Sequence, residues 1–322
     1  MSMSTGSIRE IIAGVIAFCA VIPVFYATDG LFRLINQDTM SLFTGMCLSA
    51  GLFTVIASIR NRCPIIFSPN IGLISFSVFT LYLGAGISFS HILLLFVISG
   101  ICILLIGLSR AGELLLESIP GFLYPGITAG IGFLLITTGL REAGILTEHP
   151  VTLITLGDLA TRGPVVAITG VSAAIIAISR KYSHPILWGG LASLITAILL
   201  GILPSPVVDL ITIPTLYGFS LSFDPDHLAF IPSILIIAIL ESCAIFLGIL
   251  SYMKWQNSQR QKSARHIWLM TGAAGILSPS VGVPGPILSM EGMLAILAGG
   301  RSWLAGVIPG GLILLCPLFP LP

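Results

Sequence analysis

The sequence predicts an all-α polytopic membrane protein, and three observations predict it. The composition is too apolar for water, successive segments are long enough to cross a bilayer, and two of them, in different halves, are interrupted by proline and glycine. Of the 322 residues 56% are hydrophobic and 8% charged, with a mean hydropathy of +1.07. A soluble domain carries about 25% charged residues. A globule this apolar would lack a polar skin, whereas lipid demands such a composition. The net charge of +1 offers no basic surface for nucleic acid. Six cysteines (Cys19, Cys47, Cys63, Cys102, Cys243 and Cys316) lie in or beside apolar runs with no Cys-x-x-Cys. They read as small buried hydrophobes rather than a disulfide frame or metal site. The first apolar run is not followed by a small-residue cleavage site, so no removable signal peptide is expected.

A hydrocarbon core of about 30 Å takes roughly 20 apolar residues per helix. The spans read as Ile8–Ala27, Met40–Ile59, Pro64–Leu83, His91–Leu108, Gly121–Leu140, Gly163–Ile178, His184–Leu203, Ala229–Met253, His266–Leu277, Val281–Leu297 and Trp303–Phe319. The ninth is short; the third and tenth are rich in Pro, Gly and Ser. With a cytoplasmic N-terminus, three of the 14 basic residues, Arg33, Arg141 and Arg162, fall outside and the remaining eleven (14 − 3) inside. That asymmetry satisfies the positive-inside rule and supports the count through the tenth span. The expected location is the inner (plasma) membrane.

Two carboxylates break the rules of the bilayer. Glu241 lies in Ile239-Leu240-Glu241-Ser242-Cys243 and Glu291 in Ser289-Met290-Glu291-Gly292, with no Lys or Arg within three or four residues of either. A charge at the bilayer centre costs about 2.5–3.5 kcal/mol on insertion scales. Each must face a protein-lined cavity, be protonated, or both. The functional reading is a ligand or proton site; the alternative is a protonated side chain hydrogen-bonded between helices.

The third span opens Cys63-Pro64-Ile65-Ile66-Phe67-Ser68-Pro69-Asn70-Ile71-Gly72, and the tenth opens Ser278-Pro279-Ser280-Val281-Gly282-Val283-Pro284-Gly285-Pro286. Proline removes a donor and blocks a continuous helix. Both segments are expected to begin extended and become helical near mid-membrane. Such backbone survives only where it lines a cavity or is buried in protein. Two such spans, one in each half, point to a transport site built from an internal repeat, with helix N-termini suited to a polar ligand. Ordinary proline kinks are the alternative.

Other motifs say less. Gly126-Ile127-Thr128-Ala129-Gly130-Ile131-Gly132 follows no strand and reads as close helix packing. Glu113 and Glu117 fall on a short amphipathic helix, Ala111–Ser118, at the cytoplasmic surface. The five histidines sit at span ends or in loops without metal-ligand spacing. No Gly-x-Ser-x-Gly or other catalytic signature is present, so neither an enzyme nor a cofactor is expected.

Several stretches resemble the nucleobase cation symporter-2 (nucleobase–ascorbate transporter) superfamily, nearest its adenine/guanine/hypoxanthine permease branch. They are Arg9-Glu10-Ile11-Ile12-Ala13-Gly14, Ser68-Pro69-Asn70-Ile71-Gly72-Leu73 and the stretch from Ile119 to Asp158. Within the last, Gly139-Leu140-Arg141-Glu142-Ala143-Gly144-Ile145 and Val151–Leu159 are the most specific. The resemblance implies seven spans plus an inverted seven, arranged as core and gate, with half-strands of the third and tenth spans meeting beside the substrate. It assigns residues 1–110 and 206–322 to the core and 111–205 to the gate. On this reading the last three of fourteen spans are not in the chain, and its C-terminus lies outside.

The same resemblance makes Glu241 the acidic residue of the eighth span and Glu291 the glutamate after the second half-strand, both hydrogen-bonding the base. Phe67 and Ser68 match the end of the first half-strand, and Ser289 and Met290 that of the second, supplying backbone N–H groups and a wall for the ring. The chain departs from the purine branch in lacking a second acid near Glu241 and in having Pro286-Ile287-Leu288 where Thr-Thr-Tyr is expected. The expected function is proton-coupled nucleobase uptake, with Glu241 and Glu291 as proton carriers, since desolvation disfavours a charged carboxylate. The expected partners are the base, protons and lipid, with a homodimer or a completing subunit also open. The competing expectations are a sulfate-permease-like anion transporter of the same fold and a shortened, non-transporting membrane subunit.

Overall fold

The computed structural model describes residues 5–109, 111–118, 143–149, 152–182, 185–202, 216–217, 225–253 and 257–318, with scattered positions between 126 and 141. The chain divides into two compact units, Met1–Tyr124 with Val208–Pro320, and Pro125–Val207 with the last two residues.

In the first unit, α1 (Thr5–Arg33) and α2 (Thr39–Asn61) are long apolar helices. Asp38 caps α2, accepting the Ser41 N–H at 3.4 Å, and Arg62 in the left-handed region ends it. Asp29 and Arg33, one turn apart, pair at 3.0 Å near the end of α1. The third span begins extended, as its prolines require, passes through β1 (Phe67–Ser68), and turns helical as α3 (Ile71–Ser75). It continues as a π-helix from Phe76 to Gly84. Next come α4 (Phe89–Leu108) and the short α5 (Ala111–Ser118), whose Gly112 carbonyl accepts the Trp268 indole N–H at 3.2 Å.

After a single turn at Pro225–Leu228, α8 (Ile231–Met253) carries Glu241. The helix α9 (Asn257–Leu277) is 21 residues long and carries the short ninth apolar span, His266–Leu277, after a polar first half. Its first half, rich in Gln, Arg, Lys and Ala, is polar yet strongly helix-forming. A 3₁₀ turn at Ser278–Val281 and Gly282 at φ 82° lead to β4 (Ile287–Leu288), then α10 (Gly292–Leu297) and α11 (Leu304–Leu315).

The packing of these helices has a two-fold pattern. The helix α2 packs on α11 as α9 packs on α4; α1 packs on α11 and α10 as α8 packs on α4 and α3. Exchanging α1–α4 for α8–α11 turns each pairing into its counterpart, which is the signature of an inverted repeat. Small residues permit the closest approaches. A Cβ built on Gly100 would lie 2.6 Å from the Gly275 carbonyl carbon, and one on Gly51 would lie 2.9 Å from the Gly310 oxygen. The buried core is aromatic and aliphatic, with Phe25, Phe32, Phe67 and Phe246 fully enclosed.

The second unit contains a β-hairpin, β2 (Leu146–His149) with β3 (Leu153–Leu156), where sequence suggested a loop. Its helices α6 (Arg162–Ser179) and α7 (Pro185–Leu199) pack through Gly170 and Gly189, with Thr169 donating to Thr196 at 3.1 Å. The fifth span expected at Gly121–Leu140 lies largely outside the described residues. The close packing expected of the glycine run at 126–132 likewise falls mostly outside the described residues. Five described helices are long and apolar enough to cross a membrane: Gly6–Arg33, Thr39–Asn61, Phe89–Leu108, Arg162–Ser179 and Ile231–Leu250.

Candidate functional site

The two interrupted spans meet. β1 and β4 pair antiparallel, with Phe67 opposite Leu288 and Ser68 opposite Ile287, and the Ser289 N–H donates to the Ile66 carbonyl at 2.8 Å. A two-residue ladder cannot satisfy a stretch of extended backbone inside a helical bundle. The neighbouring α2 supplies the rest. The Thr54 hydroxyl serves both backbone groups of Phe67, and Ser58, one turn on, donates to the Ile65 carbonyl at 2.7 Å and accepts its N–H at 3.2 Å. On the other side, among the described residues, no hydroxyl of α9 takes that role. A Cβ on Gly285 would lie 2.5 Å from the Gly275 Cα, so backbone packs on backbone.

Where each half-strand ends, a short helix starts, and the two starts differ. Asn70 caps α3, its side-chain oxygen accepting the Leu73 N–H at 2.6 Å. The first N–H groups of a helix find no partner within it, and those of Ile71 and Gly72 are the first two of α3. At α10 the N–H groups of Gly292, Met293 and Leu294 turn back onto the carbonyls of Ser289, Met290 and Glu291. That start is closed by its own backbone.

The two acids converge on this crossing. Glu241, half-buried on α8, lies within electrostatic reach of the Asn70 side chain and of Glu291. A Cβ on Gly72 would be 3.9 Å from Glu241 Oε2, which places that carboxyl beside the start of α3. Glu291 stands at the N-cap of α10, where the Ser289 hydroxyl donates to its Oε2. Ser68 and Ser289 are buried and Met290 is half-buried.

All six sequence-derived residues, Phe67, Ser68, Glu241, Ser289, Met290 and Glu291, thus lie within one crossing of the first unit. Two of them have other engagements. The Phe67 ring is fully buried against Phe53 and its N–H is taken by Thr54. The Ser289 N–H is taken by Ile66. Neither amide is therefore a free donor here. Sequence reasoning passed over Thr54, Ser58 and Asn70. A pair of hydroxyls four apart on an apolar helix, and a Pro-Asn step before an apolar run, were the available signals. Among the described residues no cluster of three or more His, Cys, Asp or Glu could hold a metal ion.

The model of the Permease family, that of the nucleobase–ascorbate transporters, matches residues 5–309. The chain belongs to this family. As a permease with several apolar helices it is an integral membrane protein. It is 24% identical over 322 residues to the adenine permease AdeP of Escherichia coli (strain K12), covering 95% of this chain and 70% of that one. To the guanine/hypoxanthine permease PbuG of Bacillus subtilis (strain 168) it is 23% identical over 334 residues, covering 98% and 76%. Among solved structures it is similar to the transmembrane domain of a cyanobacterium bicarbonate transporter, BicA. That match has a TM-score of 0.62 and 16% identity, and covers 98% of this permease and 84% of that chain. It is also similar to the murine anion transporter Slc26a9 in its inward-facing state, with a TM-score of 0.62 and 13% identity, covering 100% of this permease and 59% of that chain. These two likenesses establish the inverted-repeat transporter fold.

Proposed function

We propose that the chain is a secondary active transporter that takes up a neutral nucleobase, a purine such as adenine, guanine or hypoxanthine, together with protons. The observation that carries this reading is the convergence of Glu241 and Glu291 on the crossed half-strands, beside the open start of α3. A neutral heterocycle needs acceptors for its ring N–H groups and donors for its ring nitrogens and carbonyls. The carboxyls supply the first; the N–H groups of Ile71 and Gly72, with the Asn70 amide, supply the second. The permease relatives act on adenine, guanine and hypoxanthine by name.

Protons couple through the same groups. A carboxyl beside the solute can bind a proton and give it up again. One proton entering with the base from outside and leaving inside completes a symport cycle. Residues 1–110 and 206–322 form the moving core and 111–205 the gate against which it moves, in an inner membrane with the N-terminus cytoplasmic. The fold is shared with anion transporters, but two acids at the site repel an anion, and the 14 basic residues all fall at or beyond span ends.

The test is uptake into proteoliposomes made with the full chain and an imposed pH gradient, acid outside. Labelled adenine or hypoxanthine accumulates, and a protonophore collapses the accumulation. Failure of every purine to accumulate sinks the substrate reading; accumulation indifferent to the protonophore sinks the coupling.

A further inference from the structure

At the end of the first unit where α1 begins, one carboxylate ties several elements together. Glu10 Oε1 accepts the Arg301 N–H at 2.9 Å, and Oε2 accepts the Ser302 N–H at 3.1 Å. Arg301 and Ser302 form the connection between α10 and α11. The Arg301 guanidinium reaches the other way and donates to the Tyr252 carbonyl at 3.0 Å, in the last turn of α8. Arg9 lies on Gly299, whose φ of 99° and missing side chain leave the guanidinium its place. One turn further along α1, a Cβ on Gly14 would lie 2.8 Å from the Ile308 Cβ of α11. Arg9, Glu10 and Gly14 are all in the motif that opens the chain, and none of them touches the candidate site.

The connection matters because of what it joins. The helix α8 carries Glu241, and α10 begins at Glu291. Near the site these elements meet by packing, as where Met293 of α10 lies against Gly248 of α8. At the far end their relative position depends on Arg301 for α8 and on Glu10 for the α10–α11 connection. A carboxylate accepting two N–H groups makes charge-assisted bonds about twice as strong as neutral ones, and a guanidinium at a helix C-terminus is favoured by the helix dipole.

We infer that Glu10 is a positioning residue: with Arg301 it fastens the ends of α1, α8 and α11 into one block that fixes the spacing of the helices bearing Glu241 and Glu291. The geometry stands by itself; its effect on solute affinity rests on the nucleobase-transport reading.

Cys63 provides a readout independent of transport. Its thiol is fully buried and lies within electrostatic reach of Glu10 and Arg301. Alkylation of Cys63 by N-ethylmaleimide, followed site by site by mass spectrometry on the full chain in proteoliposomes, reports opening of this end. Uptake kinetics of labelled adenine or hypoxanthine are measured on the same vesicles. In Glu10→Ala, Cys63 is expected to react about tenfold faster than in the wild type, because local opening becomes easier. The KM should rise while the maximal rate changes little. Glu10→Asp, with both acceptor oxygens, falls between the two. Should Glu10→Ala fail to assemble, Glu10→Gln and Arg301→Gln provide the comparison. Unchanged Cys63 protection in every variant overturns the inference, as does faster labelling with an unmoved KM. A wild type that transports no purine, with Cys63 exposed by these substitutions, overturns the transport reading and leaves the fastening in place.

Discussion

The Thr54 hydroxyl donates to the Phe67 carbonyl at 3.1 Å and accepts the Phe67 N–H at 2.9 Å. One side chain on α2 thus stands in for both ladder partners of a residue in extended backbone. Thr54→Val keeps the shape and removes the hydroxyl, stranding two buried groups at about 1–3 kcal/mol each. A lower midpoint of thermal unfolding in detergent is expected, with Thr54→Ser close to wild type. A valine variant as stable as the parent would show that Phe67 finds other partners.

Glu241→Gln preserves size and hydrogen bonding but cannot carry a proton. Uptake driven by a pH gradient should be lost, whereas exchange of labelled for unlabelled base across the membrane continues. Proton-driven accumulation at the wild-type level would remove this carboxyl from coupling.

Ser289→Ala removes the hydroxyl that donates to Glu291. A hydrogen bond contributes about 0.5–1.5 kcal/mol, and 1.4 kcal/mol is tenfold in affinity. The KM for a transported purine should therefore rise by up to about tenfold, with expression and monodispersity intact. An unchanged KM would mean that Glu291 is oriented by other contacts.

Gly285→Ala places a methyl 2.5 Å from the Gly275 Cα, with backbone on both sides and no flexible side chain to yield. Overpacking of this kind costs about 1–3 kcal/mol. Loss of monodisperse protein in detergent is expected, and more so than for Ala at Gly311, where no described atom lies within 4 Å. Equal behaviour of the two variants would place the half-strand further from α9.

Much of this arrangement is legible in the sequence because membranes punish exceptions. Prolines at 64, 69, 279, 284 and 286 forbid continuous helices, and the structure puts extended chain at both places. Glu241 and Glu291 stand out as acids without basic neighbours, and they meet at the same crossing. What escaped were interactions whose partners lie far along the chain. Thr54 reads as an ordinary polar residue on an apolar helix until Phe67 folds back beside it. Glu10 reads as a charge at a helix start until Arg301, 291 residues later, arrives. The length of α9 was missed for another reason. Hydropathy detects the apolar part of a helix and is blind to a polar extension such as Gln259–Arg265, which helix propensity and the burial of Ser263 and Ala264 sustain.

The two half-strands are fastened by different means, hydroxyls on one side and bare backbone on the other. This asymmetry bears on how such a protein diversifies. Exchanging Thr54 or Ser58 can reshape the wall near Ile65–Ser68 through a single point mutation, with the chain still free to resettle. The Pro284–Pro286 arm has no such latitude at Gly285, where an added methyl meets the main chain of α9. New solute preferences are thus expected to arise along one arm, while the other serves as the fixed reference against which they are selected.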